Sequence, residues 1–306
     1  MISAVVFAYH NVGCRCLSVL LDQSVSVPLV VTHEDNPQET IWFESVAVLA
    51  RLHDIPVITP EDPNVADVAA RIAGLRPDFL FSFYYRLMLK PALLGSATRG
   101  AFNMHGSLLP KYRGRVPVNW AIIKGERETG ATLHAMTEKP DDGAIVDRQA
   151  VPILENDTAI EVFNKVTVAA EMTLHRTLPR LIAGTAKLTP QDLTQGAYFG
   201  GRRPEDGVID WRDRAANIHN LVRGVAPPYP GASTRIAGKS SRVLRTLRES
   251  APGMPDGGPT LRIDQGRLIA RCGDGNDLRI LELEVEGAPL TPEGFQRQFG
   301  LTVPLV

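Results

Sequence analysis

The chain has 306 residues, with 33 Lys and Arg against 34 Asp and Glu, a formal net charge of −1 and 44% apolar residues. That length and balance fit a globular protein of about two domains, large enough to bury a core without disulfide or metal staples. They exclude a transmembrane helix, since no apolar run reaches about 20 residues. They also weigh against a nucleic-acid partner, which needs a basic stripe longer than Lys111 to Arg115 or Arg202-Arg203.

The first seven residues, Met1-Ile2-Ser3-Ala4-Val5-Val6-Phe7, are apolar but lack the basic flank and cleavage site of a signal peptide. They read as a first strand, and the protein is expected in the cytoplasm. Residues 3–9, 25–32, 56–58 and 78–83 are short apolar runs that predict strands, separated by helical spacing over 16–21, 41–53 and 65–75. Such alternation implies right-handed βαβ crossovers and a parallel sheet covered on both faces. Further strands are expected at 100–105, 131–136 and 144–151, and a long helix over 158–182. The turn after the first strand, Tyr9-His10-Asn11-Val12-Gly13, holds one glycine where a dinucleotide fingerprint needs three, so no NAD is expected. Cys14, Cys16 and Cys272 lack metal-ligand spacing and read as ordinary reduced thiols; no metal site is predicted.

Beyond about residue 204 the texture shifts to short strands between Gly and Pro turns, at 234–236, 241–246, 260–264, 268–271 and 278–285, after a helix at 215–225. Five such strands suggest a small, partly open OB-like β-barrel. Residues 248–259 read as an exposed loop. The fold class is thus α/β, with a Rossmann-like domain over 1–186, a linker over 187–205 and an OB-like domain over 206–306.

The densest polar cluster follows the strand at 100–105. Strand alternation puts Asn103 and His105 on one face at the carboxyl edge, where ligands bind in open α/β sheets. An amide and an imidazole there can hold an oxyanion and move a proton, although a backbone-satisfied strand-end histidine has the same spelling. Asp141-Asp142-Gly143 is turn chemistry that could also return a carboxylate to His105. His10, His33 and His134 lie near strand ends, and His53, His175 and His219 on helices; these have weaker claims.

Taken together, Asn103-x-His105, Ser107-Leu108-Leu109-Pro110-x-x-Arg113-Gly114 and Asp141-x-Gly143 resemble the signature of the folate-dependent formyltransferases. Within that family the resemblance is greatest to the branch acting on UDP-4-amino-4-deoxy-L-arabinose, through Phe81-Ser82-Phe83-Tyr84-Tyr85-Arg86 and Arg202-Arg203-Pro204-Glu205-Asp206-Gly207, among other stretches. The resemblance implies that His105 is the general acid/base, that Asn103 stabilises the tetrahedral intermediate and that Asp141 holds His105. It implies a 10-formyltetrahydrofolate pocket lined by Leu87, Met88, Leu89, Arg115, Thr137, Glu138, Lys139, Pro140 and Asp141. It points to Tyr9, His10, Tyr84 and Asn119 for the sugar nucleotide. The implied role is lipid A modification and polymyxin resistance, with another nucleotide-linked amino sugar or methionyl-tRNA as the alternative acceptor. No glycine-rich loop of a decarboxylating dehydrogenase appears, so the chain is expected to be the transferase part alone. The sequence leaves the oligomeric state open.

Overall fold

The computed structural model describes residues 1–249 and 258–305, so most of the predicted 248–259 loop lies outside the described residues. The chain forms two compact units. The first comprises Met1–Pro117, Glu128–Pro152 and Phe163–Gly200; the second comprises Val118–Arg127, Ile153–Val162 and Gly201–Val306. The boundary therefore falls at 200/201, and two internal segments cluster with the C-terminal unit.

The first unit runs β1 (Ser3–Ala8), α1 (His10–Asp22), β2 (Ser26–Val31), α2 (Val46–Leu52), β3 (Val57–Ile58), α3 (Ala66–Leu75), β4 (Phe79–Phe83), α4 (Pro91–Leu94), β5 (Ala101–His105) and β6 (Arg113–Gly114). After α5 (Pro117–Ile123) come β7 (Glu128–Ala135), β8 (Ile145–Pro152), α6 (Ala159–Ala183) and β9 (Tyr198–Phe199). The main sheet has the order β3-β2-β1-β4-β5-β7-β8. It is parallel through β5, with β7 and β8 added antiparallel. Val5, Val6, Phe7, Leu80, Phe81 and Phe83 are fully buried, as continuous apolar strands covered on both faces must be.

From β1 the chain winds outward to β3 and then returns on the other side of β1 as β4. The β1/β4 boundary is thus the topological switch point, where the crossovers part and leave a crevice. The lone glycine after β1 is needed for packing. A Cβ on Gly13 would lie 2.9 Å from Val46 Cγ2 and 3.1 Å from Ala8 Cβ, so glycine lets α1 close on α2.

In the second unit α7 (Ala215–Gly224) precedes β10 (Ala232–Ile236), β11 (Lys239–Arg248), β12 (Thr260–Asp264), β13 (Arg267–Arg271) and β14 (Asp277–Val285). β15 (Ala288–Pro289), α8 (Pro292–Phe299) and β16 (Thr302–Pro304) complete it. The antiparallel sheet β10-β11-β14-β13-β12-β16 curls as a half-barrel. Its core joins Ile218 and Val222 of α7 to Val243, Leu283 and Phe295. The buried Trp211 indole N–H donates to Thr234 Oγ1 at 2.8 Å. His219 is buried between the Thr246 hydroxyl at 2.8 Å and the Glu155 carbonyl at 3.0 Å, and burial lowers its pKa.

Candidate active site

Antiparallel pairing sets Asn103 on β5 opposite His134 on β7, and His105 opposite Thr132. Because side chains alternate along each strand, all four project from one face. The β7–β8 connection brings Asp141 to the same place. Its backbone holds the left-handed conformation, φ 55°, which is uncommon for a residue with a Cβ. Asp141 Oδ1 lies 3.5 Å from His105 Nδ1 and 3.4 Å from His134 Nε2, and all three side chains are nearly buried. Its Oδ2 accepts the Gly114 N–H at 2.8 Å.

Burial works against charge on Asp141. The fields of His105 and His134 and the hydrogen bond from the Gly114 N–H outweigh it, and hold the carboxyl well below the usual carboxylate range. The residue is a fixed anion between two imidazoles.

Two carbonyls orient those rings. His105 Nε2 lies 2.8 Å from the Tyr112 carbonyl, an acceptor only, so this nitrogen carries the proton and Nδ1 faces Asp141. His134 Nδ1 likewise donates to the Ala135 carbonyl at 2.8 Å, leaving Nε2 between Asp141 and the Asn103 amide. Asn103 Nδ2 is 3.1 Å from His134 Nε2 and makes a long contact of 3.4 Å to Asp141 Oδ1. The Tyr112 carbonyl immediately precedes β6 and the Gly114 N–H lies within it; β6 pairs with β9.

Asn103, His105 and Asp141 are therefore brought together as the sequence led one to expect. His134 joins them although sequence reasoning ranked it low. The missed signal was strand register: His134 reaches Asn103 only because β7 runs antiparallel to β5.

The switch-point crevice lies on the same sheet edge. His10 leaves β1 and Tyr84 leaves β4 with φ of 70° and 59°, left-handed conformations that bulky side chains rarely adopt. His10 stacks on Phe43 at 3.9 Å and meets Trp42 edge-on at 4.5 Å and Phe163 at 4.6 Å; Tyr84 lies 5.7 Å from Phe163. Burial first, and the Arg86 charge second, push the His10 imidazole down to about 3, so it is neutral at physiological pH. Its Nδ1 is buried with no hydrogen-bond partner. Tyr9 adds a ring 5.0 Å from Phe43, and its hydroxyl donates to Asp35 at 2.7 Å. Arg86 lies over that ring at 4.7 Å while gripping Glu39 through both terminal nitrogens.

Asn119 belongs to the second unit, is 2% exposed, and donates from its amide to the Gly224 carbonyl at 2.8 Å. Of the expected pocket residues, Leu87 and Met88 expose large apolar side chains, whereas Leu89 packs into the core with Val5, Phe7 and Leu80. Thr137, Glu138, Lys139 and Arg115 are exposed and Pro140 half-buried. The Thr137 hydroxyl donates to the Asp142 carboxylate and lies 3.0 Å from the Lys139 carbonyl, closing the turn that carries Asp141. No cluster of three or more metal-binding side chains occurs among the described residues. No helix there is long and apolar enough to cross a membrane.

Residues 10–178 match the formyl transferase family, and residues 202–300 match the formyl transferase C-terminal domain. The chain belongs to the formyl transferase family. It is a formyltransferase, with the two-part architecture of that family. Among solved structures it is similar to an N-formyltransferase from Helicobacter canadensis, solved with folinic acid and dTDP-3-aminofucose, at 22% identity and TM-score 0.74. That match covers 92% of this chain and 99% of the other. It is also similar to the sugar 3N-formyl transferase WlaRD, solved with dTDP and 5-N-formyl-THF, at 20% identity and TM-score 0.72 over 92% and 97% of the two chains. A sugar N-formyltransferase from a Shewanella species shares 20% identity at TM-score 0.63, covering 78% of this formyltransferase and 95% of its own chain.

Proposed function

We propose that this formyltransferase moves the formyl group of 10-formyltetrahydrofolate to the 4-amino group of UDP-4-amino-4-deoxy-L-arabinose, a step in lipid A modification and polymyxin resistance. The observation that carries the reading is the convergence of Asn103, His105, His134 and Asp141 on one sheet edge that also holds an aromatic switch-point crevice. Sugar-nucleotide and folate ligands in the related structures support the coarser substrate class. The signature stretches around Tyr84 and Arg202 support the aminoarabinose branch.

The folate fits the residue types present: Leu87 and Met88 offer exposed apolar surface, and the turn from Thr137 to Asp141 offers polar groups. The uncharged sugar amine attacks the formyl carbon and the carbonyl pair moves onto oxygen. The second Asn103 N–H, held only by the long contact to Asp141, is the donor able to turn toward that oxyanion. His105 exchanges the proton at Nδ1, the nitrogen facing the fixed anion of Asp141. It takes the proton from the attacking amine and returns one to the departing folate nitrogen as the carbon–nitrogen bond breaks.

Purified protein with 10-formyltetrahydrofolate and UDP-4-amino-4-deoxy-L-arabinose is expected to yield tetrahydrofolate and the 4-formamido sugar in equal amounts. A dTDP-linked 3-amino sugar and charged initiator tRNA are the comparison acceptors. Preferred turnover of either would replace the proposed acceptor.

A further inference from the structure

We infer that Gln191, on the segment leading out of the first unit, is a positioning residue for Asp141; this rests on the catalytic reading of Asp141 above. Gln191 Nε2 donates to the Asp141 carbonyl at 3.0 Å and to the Gly143 carbonyl at 2.6 Å. Both partners are acceptors only, so the orientation of the amide is unambiguous. Its two N–H groups span the turn that places the carboxylate between His105 and His134.

Three further observations give these bonds their meaning. Asp141 holds a left-handed backbone, which costs free energy in a residue with a Cβ and is held more firmly where the surroundings constrain it. Gln191 supplies that constraint from outside the turn. Its own Oε1 is buried with no partner, which costs stability. The residue is therefore held in place by what its nitrogen does. The backbone that carries it is fixed on both sides: Thr189 exchanges two 2.8 Å bonds with Ile145, and β9 pairs with β6. On that second side the Arg115 N–H donates to the Phe199 carbonyl at 2.9 Å, and the Tyr112 ring stacks on Phe199 at 5.1 Å. A shift at 191 is thus delivered to the Asp141 peptide rather than absorbed by the segment. Sequence reasoning placed Gln191 in a linker, where no side chain has a catalytic duty.

The test uses the full-length protein with Gln191→Leu and Gln191→Glu, and Gln191→Met should the leucine variant not fold. Transfer to the amino sugar and release of formate from 10-formyltetrahydrofolate to water are both measured. Misplacing a catalytic group by about 1 Å costs on the order of 10²-fold, so kcat should fall about tenfold to a hundredfold. KM for both substrates should stay within about threefold and Tm within a few degrees. In the Asp141→Asn background, Gln191→Leu should change the residual rate by less than about twofold, because a residue acting through Asp141 has nothing left to position. Wild-type kcat in the Gln191 variants, or an equal loss with Asp141 already replaced, overturns the inference. Wild-type rates in Asp141→Asn alone sink the catalytic reading of that residue instead. Should no amino sugar be turned over while water release shows the same pattern, the acceptor assignment falls and the role of Gln191 stands.

Discussion

His10 offers a quantitative check on the aromatic crevice. Its imidazole falls from the ordinary 6.5 to about 3 in the folded protein, through burial and then the Arg86 charge. The unfolded chain therefore binds the extra proton between those two values. Stability from this group is present above about pH 6.5 and is lost as pH falls toward 3. At about 1.4 kcal/mol for each pH step below the unfolded value, the loss between pH 7 and pH 5 comes to about 2 kcal/mol. For a protein unit of this size that is about 4–8 °C in Tm. His10→Asn removes the titration while keeping a residue that tolerates a left-handed backbone. Any constant packing cost of the variant cancels when the pH dependence of the two proteins is compared. His33, which burial and Arg86 lower to about 4, titrates in both and cancels as well. Calorimetry of wild type and variant across pH 5–7 should show the wild type losing about 4–8 °C more of its first-unit transition. Parallel curves would mean that His10 protonates freely in the folded state, and the closed crevice argued from Phe43, Trp42 and Phe163 would have to be abandoned.

Three other outcomes follow. Asp141→Asn should lower formyl transfer by about 10²–10⁴-fold, the usual range for general acid–base participation, and a kcat within tenfold of wild type would refute the assignment. Gly106→Ala would drive a Cβ into the Tyr84 hydroxyl oxygen; the displaced ring should cost about 1–3 kcal/mol in urea unfolding and raise KM for the sugar nucleotide. Trp211→Phe leaves the Thr234 hydroxyl unpaired in the second core, with a loss of about 1–3 kcal/mol. Adding Thr234→Val should recover part of it, and strict additivity of the two changes would disprove the bond's importance.

Apolar periodicity made most of the framework legible: the strands β1 to β5 and the helices α1, α3 and α6 lie within a few residues of where spacing puts them, apart from the start of α1. It could not show direction. β7 reads as a strand either way, yet only its antiparallel run sets His134 opposite Asn103. The Asn103, His105 and Asp141 trio was expected through the resemblance, since Asp141-Asp142-Gly143 alone reads as a turn; the support around it had no such signature. Tyr112 and Gly114 contribute backbone groups, which no residue type announces, and Gln191 acts from 50 positions away. β15, β16 and α8 escaped notice because each is short, with Pro and Gly within or beside it. Tyr9, His10 and Tyr84 meet because β1 and β4 are neighbours; Asn119 lies in the second unit, bonded to Gly224.

The ties of Gln191 and β9 bear on how this enzyme can be dissected. A fragment ending at residue 186 would lose the side chain that spans the Asp141 turn and the strand paired with β6. An exchange of C-terminal parts with a relative is better joined after Gly200, where the first unit ends. Even there the donated part is not self-contained, since 118–127 and 153–162 cluster with it from within the recipient sequence. New acceptor specificity grafted by domain exchange would have to carry those two inserts along, so the two halves can be engineered only as interleaved pieces.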